Sequence, residues 1–175
     1  EMTRDIAGRF NHLYGDTFVL PEPQIDDVVA VVPGLDGQKM SKSYGNTIEI
    51  FSEENILRKR IMSIVTDATP VEEPKDPDKC TIYQLYRLFA TKGETVELAA
   101  QYRNGGMGYA TAKEMLFEKI NTKFKPYREK RKALASERRQ VEQILKEGAE
   151  KARYYAAKTI DKVRRKTGIK YRKFK

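Results

Sequence analysis

"LDGQKMSKSYGN", residues 35–46, puts two lysines and two serines into five consecutive positions, with Gly37 and Gly45 on either side. The stretch follows neither the 3.6-residue period of a helix nor the alternation of a strand, so it reads as a loop. Lys39 and Lys42 each offer an ammonium with three donors, and Ser41 and Ser43 add hydroxyls. The backbone N–H groups of such a loop are expected to be free, and Gly34, Gly37 and Gly45 let the chain turn tightly. Together these donors suit a negatively charged, phosphate-like ligand. The loop is not a Walker P-loop, because Gly-x-x-x-x-Gly-Lys occurs nowhere in the chain. "NGGMGY" (104–109) also lacks the third glycine of Gly-x-Gly-x-x-Gly.

Before the loop, "DVVAVV" (27–32) is a short, nearly continuous β-branched run ended by Pro33 and Gly34. That pattern predicts a strand buried on both faces, as in a parallel sheet. Upstream of it, Met2, Ile6, Phe10 and Leu13 recur at helical spacing, and Gly15 is a natural stop. The prolines of "LPEPQID" forbid helix in between. A helix followed by a buried strand predicts the end of an α/β layer, with the phosphate loop at the strand's C-terminal end, where such folds bind ligands. The helical pattern is already running at Glu1, which points to a piece of a longer protein.

After the loop, Ser52 is a candidate cap for a helix whose apolar face is Ile56, Leu57, Ile61, Ile64 and Val65. "TPVEEPKDPDK" (69–79) reads as a solvated surface loop. Helices are predicted over about 81–92 and 94–103, separated at Gly93. Thr111 and Glu114 have capping-box spacing for the next helix. Pro126 suits a first helical position, a break is predicted near 135–137, and the last helix ends at Gly168. Residues 169–175 form a basic tail without periodicity, expected to be mobile. The fold class read from this order is mainly α: a short α/β remnant followed by a helical bundle.

The net charge of +9 is unevenly placed. Residues 123–175 hold 20 Lys/Arg against 6 Asp/Glu, a net of +14, leaving 14 against 19, a net of −5, for the first 122. A basic end on a slightly acidic body suggests a polyanion partner such as nucleic acid; the alternative is a solvated helix face. One cysteine, Cys80, and one histidine, His12, exclude an internal disulfide and a four-ligand Cys/His zinc site. No metal-ligating residues are assigned. Cys80 has no neighbouring histidine to activate it, so it reads as a packed thiol. No apolar run is long enough to span a membrane, and a cytoplasmic protein is expected.

"KMSKS" at 39–43 resembles the signature loop of class I aminoacyl-tRNA synthetases. "EMTRDIAGRFN" (1–11), "IVTDA" (64–68) and "ILKEGAEKARYYAAKTIDKVRRKTG" (144–168) resemble segments of the tryptophanyl-tRNA synthetase family. The 69–79 loop and the "IKYRKFK" tail are the least family-like parts. The resemblance implies that residues 1–50 are the end of a Rossmann-like catalytic domain, that 51–168 form a helical region reading the anticodon end of tRNA, and that the parent is an ATP-dependent ligase of protein biosynthesis. It would join tryptophan to tRNA(Trp) through tryptophanyl-adenylate, with Mg2+ accompanying the triphosphate, and act as a homodimer. Lys39 and Lys42 would bind the departing pyrophosphate, with Ser41 and Ser43 as orienting donors. Met40 would pack the loop down beside the nucleotide, and the backbone near Ala30 would border the adenine. Lys and Arg of 123–175 would contact tRNA phosphates. Tyr154 and Tyr155, on an amphipathic helix, read as core residues, with base stacking as the alternative. The neighbouring readings are a tyrosyl-tRNA synthetase and a non-catalytic, basic RNA-binding helical module. Either way the amino-acid pocket is expected upstream of Glu1, leaving this segment inactive by itself.

Overall fold

The computed structural model describes residues 1–25 and 30–169. It contains six α-helices among them: α1 (Met2–Tyr14), α2 (Glu54–Met62), α3 (Thr81–Tyr86), α4 (Lys92–Asn104), α5 (Tyr109–Ser136) and α6 (Arg138–Lys166). The chain divides into two compact units. One comprises residues 25–133; the other comprises residues 1–24 and 134–175.

The larger unit is built on one apolar core. Leu57 and Ile61 of α2, Ile64 just beyond it, Ile82 and Leu85 of α3, Leu98 and Tyr102 of α4, and Leu116, Phe117 and Ile120 of α5 are all essentially inaccessible. Burying each side chain of this size contributes about 1.5–3 kcal/mol. The expected face of α2 is two residues narrower than its spacing suggests, because Ile56 and Val65 are exposed. Ser52 does not cap α2. Glu53 occupies the N-cap, and the Ser52 hydroxyl donates to Glu49 Oε2 (3.2 Å).

The capping box lies at Thr91 and Glu94, one helix earlier than expected. Thr91 Oγ1 accepts from Glu94 N (3.3 Å) and Glu94 Oε2 accepts from Thr91 N (2.9 Å). Gly93 therefore lies inside the first turn of α4 and does not separate two helices. Thr111 is already within α5, and Glu114 instead pairs with Arg58 of α2 (2.6 Å). Pro126 starts no helix either: α5 runs through it. A proline there costs one backbone hydrogen bond, which the flanking turns tolerate in a helix this long. The break expected near 135–137 is present, between Ser136 and Arg138.

The 69–79 loop is not merely solvated. Lys75 is buried, and its ammonium donates to the carbonyls of Pro70 (2.7 Å), Val71 (3.3 Å) and Glu73 (3.0 Å). It also lies over the Tyr109 ring, 5.5 Å from the centroid. Gly105 lets the loop approach α4 closely: a Cβ there would meet the Glu72 carbonyl oxygen.

In the smaller unit, α1 ends as expected at Gly15 (φ 76°). Asn11 of α1 accepts from the N–H groups of Thr17 (3.0 Å) and Phe18 (2.9 Å), folding the chain back. Lys166 at the end of α6 donates to the carbonyls of Gly15 and Asp16, both at 3.0 Å. α6 buries none of its side chains. Tyr154 and Tyr155 are exposed, so they are not core. Their rings pack edge to face on each other, and Lys158 Nζ lies over the Tyr154 ring and donates to its hydroxyl.

The buried strand expected over 27–32 is not found. Residues 27–29 lie outside the described residues, and Ala30 and Val31 are exposed with no strand geometry. A parallel strand exists only through its neighbours. Among the described residues the sole β-pairing is an isolated antiparallel bridge between Pro33 and Lys39. The tail residues 170–175 also lie outside the described residues. No helix among the described residues is long and apolar enough to cross a membrane.

Candidate functional site: the 33–47 loop

The loop is a pinned hairpin-like turn. Its base closes where Met40 N donates to Val32 O (2.8 Å) and Gly34 N to Gln38 O (2.7 Å). Gly37, at φ 78°, turns the first bend. Residues Lys42–Tyr44 form one 3₁₀ turn that ends in left-handed Gly45 (φ 65°), whose N–H donates to Lys42 O. Leu35 is buried in the core, and Met40 is half-buried against it. The apolar members thus hold the loop down, as expected for Met40.

The polar members face outward. Lys39 and Lys42 are exposed, and neither ammonium has a hydrogen-bond or ion-pair partner among the described residues. Ser41 Oγ and Ser43 Oγ are 2.8 Å apart and share a hydrogen bond, so one hydroxyl proton is used internally and the other is available. The expectation of free backbone donors holds only in part. The N–H groups of Met40, Ser41, Tyr44 and Gly45 are all taken inside the loop. Those of Lys42 and Ser43, which open the 3₁₀ turn, have no acceptor among the described residues. Ala30 lies exposed on the segment that leads into the loop.

The residue that organises this arrangement is Asn46, which spacing and composition did not single out. It is buried. Its Oδ1 accepts from Ser41 N (2.8 Å), and its Nδ2 donates to Asp36 Oδ1 (2.8 Å) and Lys39 O (3.2 Å). Its own carbonyl accepts from Leu35 N (3.0 Å). A main-chain N–H on one side and a carboxylate on the other fix which end of the amide is oxygen. Asp36 also accepts from Gln38 N (3.0 Å). The Asn46 amide, more than the Gln38 N–H, holds the Asp36 carboxyl below its ordinary range, against a smaller opposing effect of desolvation. Behind Asn46, Arg60 of α2 donates from Nε to Thr47 O (3.2 Å) and from its terminal nitrogen to Gly45 O. Nothing periodic marks these residues; only contact across the fold relates them.

Beside the loop lies an open groove of about 700 Å³, lined in part by Met40, Lys42, Phe51 and Arg131. Its far wall is held by Arg128, whose NH1 donates to Ile50 O (3.3 Å), and by the Lys132–Glu53 ion pair (3.0 Å). The donors on the loop are ammonium, hydroxyl and N–H groups. They suit the oxygens of a phosphate chain, whereas a dedicated divalent-cation cage requires oxygen ligands.

The family of class I tRNA synthetases for W and Y matches residues 1–125, and the chain belongs to it. Within that class its relatives include tryptophan–tRNA ligases. The one from Rhodopirellula baltica is 49% identical over 170 residues, covering 97% of this chain and 53% of the relative. That of Campylobacter jejuni is 45% identical over 169 residues, covering 97% and 53%. The crystal structure of tryptophanyl-tRNA synthetase from Campylobacter jejuni complexed with ADP and tryptophan superimposes with a TM-score of 0.76, over 95% of this chain and 52% of that one. The chain spans about half the length of the relatives it matches.

Proposed function

We propose that this chain supplies the pyrophosphate-binding loop and tRNA-binding helices of a tryptophan–tRNA ligase. The observation that carries the reading is the pair of unneutralised ammonium groups, Lys39 and Lys42, on a loop whose backbone is held from within. In the first step a carboxylate oxygen of tryptophan attacks the α-phosphorus of ATP. The bond from that phosphorus to the bridging oxygen breaks, and pyrophosphate departs with the added charge. Lys39 and Lys42 stabilise that charge more in the transition state than in bound ATP, which is what accelerates the step. The free serine hydroxyl and the N–H groups of Lys42 and Ser43 orient the same oxygens. Magnesium enters with the triphosphate as part of the substrate. A hydroxyl of the 3′ ribose of tRNA(Trp) then attacks the tryptophanyl carbonyl carbon, the acyl–phosphate bond breaks and AMP leaves.

In this reading residues 1–50 close a Rossmann-like catalytic domain, and the exposed backbone near Ala30 borders the adenine with Met40 beside it. Residues 51–168 form the tRNA-reading region and 169–175 a basic tail, and the full-length protein pairs as a homodimer. The uneven charge supports the tRNA assignment, since lysines and arginines at 123–175 position a phosphate backbone without reading its sequence. ATP–pyrophosphate exchange by the full-length protein tests the reading. It is expected with tryptophan and not with tyrosine; exchange with tyrosine alone, or with neither, refutes it.

A further inference from the structure

We propose that Asn46, backed by Arg60, is the positioning residue that sets the spacing of the two phosphate-binding lysines. The inference rests on the proposed role of the loop in adenylate formation. Asn46 touches neither lysine side chain. Its amide grips Lys39 O on one side of Met40 and Ser41 N on the other, so it fixes the backbone from which Lys39 and Lys42 project. The same amide is tied to Asp36 across the turn, and its own main chain is held by Leu35 N and, on either side, by Arg60. Every polar atom of the amide and its carbonyl is therefore spent on the loop.

The fit is also steric. A Cβ at Gly34 would lie 2.4 Å from Asn46 Cγ, so position 34 accepts only glycine if Asn46 is to stay. The amide needs both its ends. A leucine of similar size would leave Ser41 N and Lys39 O without partners, and an aspartate would set a second carboxylate against Asp36. Displacement of a catalytic group by about 1 Å is enough to cost about 100-fold in rate.

The test uses single-turnover adenylate formation and tryptophan affinity in the full-length protein. Asn46→Asp is expected to slow adenylate formation about 100-fold with tryptophan affinity unchanged. Adding Asp36→Asn removes the repulsion between the two carboxylates at 36 and 46 and is expected to recover about tenfold of that loss. A merely structural role would move tryptophan affinity or stability together with the rate, so both are read on each variant. A wild-type rate in Asn46→Asp, or no recovery in the double variant, overturns the proposal. If Asn46→Asp fails to fold, the exposed Asp36→Ala variant, which removes the acceptor of the Asn46 amide, decides: a severalfold slower rate supports the proposal and a wild-type rate overturns it. Lys42→Ala is the control. If it too has wild-type exchange, the reading of the loop fails; if it is slow while Asn46→Asp is not, only this inference fails.

Discussion

Gly34→Ala tests the loop's architecture without touching any group that meets substrate. The added Cβ would stand 2.4 Å from both Cγ and Nδ2 of Asn46 and 2.8 Å from its carbonyl oxygen. Carbon contacts are comfortable at about 3.5–4.0 Å, so the two backbones must part by roughly 1 Å. The bonds from Asn46 to Ser41 N and Asp36, both 2.8 Å, cannot survive that movement. Leaving a buried polar group unsatisfied costs about 1–3 kcal/mol, which the variant avoids only by letting the loop open. Apart from Leu35, most of the core residues that carry the fold are elsewhere, on α2 to α5. Gly34→Ala should therefore fold, bind tryptophan normally and form adenylate about 100-fold more slowly. Combining it with Asn46→Ala removes the clash with the amide but not that with the main-chain carbonyl at 46, so the two losses should overlap and the double variant should be slower than Asn46→Ala by much less than 100-fold. A wild-type adenylation rate in Gly34→Ala, read by rapid quench, would refute the reasoning.

Two further outcomes follow from the larger unit. Lys75→Met removes the side-chain donor shared by the Pro70, Val71 and Glu73 carbonyls; it should destabilise the 69–79 loop by about 1–3 kcal/mol, read as faster amide hydrogen exchange there with adenylation retained. Glu94 is held at about 2 by the Lys119 ammonium first and the Thr91 donors next, well below its ordinary 4.5. Its contribution to stability is thus complete above the unfolded value and lost as pH falls from about 4.5 towards 2. Melting curves of wild type and Glu94→Gln should converge over that window and stay separate at neutral pH.

Much of the helical order was legible because it rests on local chemistry. Gly15 and Gly168 stop helices through backbone freedom. The Thr91–Glu94 box was equally legible, but the helix-breaking reputation of Gly93 concealed it; a glycine in a first turn costs little when both flanking caps are made. Pro126 misled in the opposite sense, because neighbouring turns carry a helix through one missing bond. The run at 27–32 has strand composition, yet composition supplies no partner strand, and of its described residues Ala30 and Val31 are exposed. The loop's ligand-facing half was readable from its lysines and serines. Its supporting half was not: Asn46, Asp36 and Arg60 lie up to two dozen positions apart, and only the folded backbone brings their hydrogen bonds together. The buried ammonium of Lys75 was hidden likewise, since an acidic, proline-rich loop predicts a solvated lysine.

The central claim is that the loop binds departing pyrophosphate, and Lys42→Ala in the full-length protein addresses it most directly. Single-turnover adenylate formation should fall about 100- to 1,000-fold, the usual effect of losing one transition-state donor, while the dissociation constant for tryptophan stays unchanged. Unaltered adenylation, or a large loss of tryptophan affinity with normal adenylation, would contradict the account.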